Sequence, residues 1–199
     1  SGVNRHQDYP FIGNALPNSG QWRDVKLLRE GGSTIIRAAH YPQDPAFYDA
    51  CDELGMLTTT ANPGWQFFNF KDPLFEQRLY EDTRALVRRD RNHPSVFLWS
   101  VGNEIPDVQN NDNNGFQRLH TMVNYVRNYD PTRPVTLVND QLGNAERRHF
   151  DYYDVHSWNY SRRYRLARQM EPNKSVIISE SASTLSTRGF YEFPLPEDK

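Results

Sequence analysis

The segment Asn92-His93-Pro94-Ser95-Val96-Phe97-Leu98-Trp99-Ser100-Val101-Gly102-Asn103-Glu104 limits the folds open to this chain more than any other. A turn signal at Asn92-His93-Pro94 leads into a nearly unbroken apolar run, 96–101, which stops on Gly102, Asn103 and Glu104. A strand that is apolar on both faces belongs in a parallel sheet covered by helices. The run therefore predicts an α/β architecture, where the carboxyl ends of strands gather ligands and catalytic groups. An amide and a carboxylate at such an end cost stability unless they are hydrogen-bonded, so they mark a candidate site.

The rest of the chain alternates as such a sheet requires. Further β-like runs fall at 34–38, 56–60, 134–138, 153–156 and 175–179, and residues 2–6 read as a first strand, which makes seven. Phe47, Ala50, Cys51 and Leu54 follow helical spacing, with Gly55 as the stop. Phe75, Leu79 and Leu86 share the face of a helix that starts near Pro73. Phe116, Leu119, Val123 and Val126 mark another, closed by Asp130-Pro131, and 164–170 is a weaker fourth. The Asn- and Asp-rich stretch 109–115 reads as a surface loop.

Strand–helix alternation implies right-handed βαβ units. A (β/α)8 TIM barrel needs eight strands and about 250 residues; with 199 residues the expectation is a TIM barrel truncated before its eighth strand. An open doubly wound sheet is the alternative, but no Gly-x-Gly-x-x-Gly turn follows any strand. The chain also begins almost directly on a motif, so one barrel domain over 1–199, a fragment of a larger multidomain protein, is expected.

Composition removes several function classes. With 23 Lys+Arg against 25 Asp+Glu the net charge is −2, which gives no electrostatic case for a nucleic-acid partner. No apolar stretch approaches the roughly 18 residues needed to span a bilayer, so no membrane partner is expected. The single Cys51 has no internal disulfide partner and lies in an apolar helical pattern. The histidines show no His-Glu-x-x-His spacing. Asn110, Asp112, Asn114 and Gly115 imitate the start of a calcium loop, but Thr121 stands where its Glu is required. Ser179-Glu180-Ser181 lacks the glycines of a nucleophile elbow. Arg84, Arg88, Arg89 and Arg91 read as the solvated end of a helix, favoured by its dipole. No metal and no cofactor are expected.

Two carboxylates occupy matching places. Glu104 follows the run ending at Val101, and Glu180 follows Val176-Ile177-Ile178-Ser179. On strands four and seven of a barrel both would point into one mouth. Hydrolysis of an acetal uses such a pair, one carboxyl to protonate the leaving oxygen and one to meet the developing cation. A Glu after a strand is also commonly a helix-start neighbour or a surface charge. Arg37 and His40 end the second strand and could line the same mouth; an Arg paired to a carboxylate and a His satisfied by backbone is the equally simple account.

Four blocks carry a resemblance. Gly2-Val3-Asn4-Arg5-His6, Ile36-Arg37-Ala38-Ala39-His40-Tyr41-Pro42, Phe47-Tyr48-Asp49-Ala50-Cys51-Asp52-Glu53-Leu54-Gly55, and Arg89-Asp90-Arg91-Asn92-His93-Pro94-Ser95-Val96 through Gly102-Asn103-Glu104 resemble the catalytic barrel of glycoside hydrolase family 2. That family includes β-galactosidases, β-glucuronidases and β-mannosidases. The last block is the most specific. Ile178-Ser179-Glu180-Ser181-Ala182-Ser183 with Ser186-Thr187-Arg188-Gly189 leans towards the β-galactosidase-like members.

The resemblance implies a retaining exo-β-glycosidase with Glu104 as general acid/base and Glu180 as nucleophile. It further implies that Asn103 bonds the sugar 2-hydroxyl, that Arg37 holds Glu180 ionised, and that Tyr160 hydrogen-bonds Glu180. His40, His6, His156 and Asn159 are expected as sugar contacts. Glu180 should titrate low and Glu104 high, the two carboxyls lying roughly 5 Å apart. Thr60, Ala61 and Asn62 stand where the family's third strand usually carries an acidic residue that in some members serves a metal, and His6-Gln7-Asp8 lacks a Glu that often follows the His. The expected partners are a glycoside or oligosaccharide substrate, and other domains or another subunit closing the barrel. β-Glucuronidase, β-mannosidase and a non-catalytic carbohydrate-binding barrel are the alternatives.

Overall fold

The computed structural model describes residues 1–62, 69, 71–109, 113–141, 149–160, 162 and 164–182, with backbone only at 107, 113, 114, 116, 149 and 150. Seven strands pair in sequence order, all parallel: β1 (Gly2–Arg5), β2 (Ile35–Ala38), β3 (Leu57–Ala61), β4 (Val96–Asn103), β5 (Val135–Asn139), β6 (Val155–Asn159) and β7 (Ser175–Glu180). Between them run α1 (Asn18–Glu30), α2 (Pro45–Leu54), α3 (Pro73–Asp90), α4 (Pro106–Gln109), α5 (Asn113–Tyr129) and α6 (Tyr164–Met170), with a 3₁₀ turn at His149–Tyr152. The sheet curls into a nearly closed (β/α) barrel, open between β1 and β7 among the described residues. No helix among them is long and apolar enough to cross a membrane.

Local chemistry sets the helices. In α2 the Asp44 carboxylate accepts from Ala46 N at 2.9 Å, and Pro45 opens the first turn. Gly55 then closes it in the left-handed region, φ 67°. α3 starts the same way, with Asp72 accepting from Leu74 N at 2.9 Å and Pro73 following. The apolar faces of α2, α3 and α5 pack Phe47, Cys51, Leu79, Leu86, Leu119, Val123 and Val126 against the outer face of the sheet, where Trp99 and Trp158 are buried. Each such side chain contributes on the order of 1.5–3 kcal/mol. Burial pushes the Cys51 thiol up to about 12, which leaves it a packing group.

The inner face is different. A cavity of about 630 Å³ lies within the barrel, its lining mixed: Thr59, Ser100, Thr136 and Ser157 stand beside apolar Ile35, Leu98 and Ile177. Thr136 and Ser157 share a hydrogen bond of 2.8 Å across β5 and β6.

Several expected boundaries move. β4 runs on through Asn103, and β6 is displaced to Val155–Asn159. α1 answers to no helix expected from the sequence, because its inner face sets two polar residues beside Val25: Gln21 and Asp24 are buried on Arg5, which donates to Gln21 at 2.6 Å and Asp24 at 2.8 Å. The expected loop at 109–115 is helical at both ends, with Gln109 closing α4 and Asn113 to Gly115 opening α5. Residues 110–112, Pro63 to Trp65, Ser183 and 186–189, and the side chain of Phe116, lie outside the described residues.

Candidate active site

Two β-bulges and two left-handed residues shape the rim at the carboxyl ends of the strands. Ser100 pairs with Thr136 and Asn103 with Val138, so β4 carries one residue more than β5 over that step. Bulges re-aim the side chains that follow them. Gly102 sits in this step because a Cβ there would lie 2.4 Å from Cδ1 of the buried Ile105. Glu104 comes next with φ 49°, anchored by its N–H to Val138 O at 2.8 Å. On the other side Trp158 pairs with Ile178 and Asn159 with Glu180, which leaves Ser179 as the extra residue of β7. Tyr160 follows β6 with φ 56°. Non-glycine residues in this region are uncommon and cluster where a fold holds functional groups against local preference.

The side chains converge. Arg37 Nη1 donates to Glu180 Oε1 at 2.8 Å, and the Tyr160 hydroxyl donates to Glu180 Oε2. Arg37 Nη2 donates to Asn103 Oδ1 at 2.7 Å, and Asn159 Nδ2 donates to Glu104 Oε1 at 2.7 Å. Ser179 Oγ donates to Asn159 Oδ1 at 2.7 Å. His40 Nε2 lies 3.7 Å from Glu180 Oε1, while its Nδ1 accepts from Arg37 Nη2 at 3.2 Å. Since a guanidinium only donates, the imidazole proton sits on Nε2, facing the carboxylate.

The environments split the two carboxyls. Burial alone would raise Glu180, but the Tyr160 hydroxyl and the Arg37 bonds outweigh it and hold the group below the usual carboxylate range. Burial raises Glu104; the Asn159 bond opposes that, and the negative charges of Asp140 and Glu180 reinforce it. The Tyr160 hydroxyl is held protonated, mainly by its bond to Glu180. Burial and the Arg37 charge lower His40 to about 4, so its contact with Glu180 is a dipolar contact rather than an ion pair.

Of the residues singled out in the sequence, Arg37, His40, Asn103, Glu104, Asn159, Tyr160 and Glu180 meet in this cluster. His6 is exposed beside it, its ring edge-on to His40 at 5.4 Å. Asn159 is fully buried and its amide is taken up by Ser179, Glu104 and Asn103, so it lies beneath the mouth and not on its surface. His156 is not brought in. It stands one residue before the cavity-lining Ser157, which turns its ring to the helix layer, fully buried and edge-on to Tyr153 at 5.6 Å. Sequence reasoning missed Ser179 and Asp140; the position of Ser179 beside Glu180 was visible, but the bulge that turns its hydroxyl inward was not. Among the described residues no group of three or more His, Cys, Asp or Glu is placed to hold a metal ion.

Residues 1–194 match the family model described as glycosyl hydrolases family 2, TIM barrel domain. A β-galactosidase from Thermoanaerobacter pseudethanolicus is 35% identical over 141 residues, 70% of this chain and 18% of its own length. A β-glucuronidase from Bacteroides fragilis is 36% identical over 149 residues, 72% of this chain and 21% of its own length. The chain thus spans about a fifth of the length of these relatives. The crystal structure of a glycosyl hydrolase family 2 member from Bacteroides cellulosilyticus superposes with TM-score 0.79 at 30% identity, covering 90% of this chain and 24% of that one. Sequence blocks, barrel topology and family match agree, and the chain belongs to glycosyl hydrolase family 2, as its TIM barrel domain.

Proposed function

We propose that this domain hydrolyses terminal β-D-galactosides with retention of configuration, through Glu180 as nucleophile and Glu104 as general acid/base. The observation that carries the reading is the divergence of two neighbouring carboxyls, one held ionised by Arg37 and Tyr160, the other raised by burial. In the first step a Glu180 oxygen bonds to the anomeric carbon while the bond to the leaving oxygen breaks, and Glu104 gives that oxygen its proton. In the second, Glu104 takes a proton from water, whose oxygen bonds to the anomeric carbon and releases Glu180. Arg37 and Tyr160 stabilise the leaving carboxylate as it regains its charge. Asn103, its Oδ1 occupied by Arg37, offers Nδ2 to a sugar hydroxyl, and the Nε2–H of His40 and the exposed His6 are further sugar contacts. Among the described residues the edges at β1 and β7 are open, with Val3 and Ile178 exposed, and they suit pairing by further polypeptide, from another domain or subunit.

Incubation with an activated 2-deoxy-2-fluoro-β-galactoside tests the assignment. A fluorogalactosyl adduct on the Glu180 peptide is expected by mass spectrometry; labelling elsewhere, or none, overturns it. A β-glucuronide is the second reading, supported by the relative from Bacteroides fragilis at 36% identity. An adduct from the corresponding fluoroglucuronide, and none from the galactoside, would establish it.

A further inference from the structure

We propose that Ser179 and Asn159 are positioning residues which fix Glu104 Oε1 as a hydrogen-bond acceptor, so that the proton delivered to substrate is carried by Oε2. This rests on the reading of Glu104 as general acid.

The direction of each bond follows from one group that cannot reverse. Arg37 only donates, so the Asn103 atom facing Nη2 at 2.7 Å is its amide oxygen. The Asn159 atom that faces this oxygen at 3.4 Å, and Glu104 Oε1 at 2.7 Å, is then its amide nitrogen. Asn159 Oδ1 is thereby turned to β7, where Ser179 Oγ meets it at 2.7 Å and must donate. A proton on Glu104 Oε1 would be set against an N–H, so it resides on Oε2. Two features keep this order. Asn159 is fully buried, and Ser179 is the residue that the β7 bulge leaves unpaired, which points its hydroxyl across to β6. The relay ties the strand that carries one carboxyl to the orientation of the other, with Asn159 between them.

An acid whose proton is misplaced fails most on leaving groups that need protonation. The test compares kcat/KM on phenyl and 2,4-dinitrophenyl glycosides of the sugar that the labelling experiment accepts, using the protein that carries this sequence. Ser179→Ala is expected to lower phenyl glycoside hydrolysis about tenfold more than dinitrophenyl hydrolysis, and Ser179→Thr, which keeps the hydroxyl, to restore the ratio. Dinitrophenyl turnover at the parental KM shows that the variant is folded. The charged groups facing Glu104 are Asp140 beyond β5, Glu180 on β7 and Arg37 on β2. With these kept, releasing Asn159 from Ser179 lets its amide turn Nδ2 away from Glu104; the carboxyl then loses the bond that lowers its pKa, and the basic limb of the pH profile moves upward. Equal losses on both aglycones, or no restoration by Thr, overturn the proposal. Glu104→Gln separates it from the underlying reading: that variant must show the same aglycone selectivity more strongly. If it does not, or if the parent cleaves neither glycoside, the role of Glu104 falls and this inference with it.

Discussion

Asp130 and Glu180 are both carboxylates gripped by an arginine and a hydroxyl, and both are held below their ordinary pKa, yet they do different work. Asp130, beyond the end of α5, takes its donors from its own turn: Thr132 N at 3.0 Å, the Thr132 hydroxyl, and Arg133 Nη1 at 2.7 Å. Trp99 Nε1 adds a fourth at 2.9 Å from β4. The group is 4% exposed and every lone pair is directed at a fixed donor. Glu180 takes its donors from β2 and from the residue after β6, and it lines the barrel cavity. A carboxylate saturated by local donors is an anchor. One held by distant elements at an open rim keeps capacity for a new bond.

The largest expected effect breaks the resemblance between them outright. Glu180→Gln should lower kcat/KM by about 10⁴-fold or more, while the melting temperature stays within about 3 °C, since an amide needs less solvation than the charge it replaces. A clearly lower melting temperature would make Glu180 an anchor as well. Next, Asp130→Ala should cost about 3 kcal/mol in urea titrations, because it strands the Trp99 and Arg133 donors. Its kcat/KM per folded molecule should stay within about twofold, and a larger fall would connect the turn to the rim. The third effect concerns acid. Asp130 is lowered to about 2 in the folded state; burial opposes this, and the Thr132, Arg133 and Trp99 bonds prevail. Its contribution is therefore complete above the unfolded value of about 4 and fades as pH falls through about 2. The urea midpoints of parent and Asp130→Ala should converge over that window. The smallest effect, about 1 kcal/mol, is expected for Thr132→Val, which removes one neutral donor and keeps the turn.

Where the sequence was transparent, the side chains obeyed one solvent rule. The 47–54 periodicity and the Gly55 stop were readable because α2 buries an apolar face and ends on a left-handed glycine. The helix α1 was opaque because a buried arginine, not a sheet of valines, receives it; Gln21 and Asp24 look like surface residues until Arg5 is placed. The sequence places β6 at 153–156, too early, because Ser157 faces the cavity and Asn159 is bonded within the rim cluster, so alternation between apolar and polar no longer separates core from solvent. In the site, residue types and strand ends pointed to Glu104 and Glu180. The resemblance gives Arg37 and Tyr160 as the partners of Glu180, but Asn159 as the partner of Glu104, with Ser179 behind it, was not readable, because a bulge changes which side chain faces inward without changing composition. His156 shows the same limit in reverse: a polar residue on a rim strand, one step out of phase, is a core residue.

The two extra residues, in β4 and in β7, have a further consequence for how such a barrel varies over time. Each works like a slipped stitch, absorbing one position between the woven wall and its border. The wall's pairing below can remain as it is while the border gains or loses a residue, so reach and aim at the opening can change without unpicking the fabric underneath.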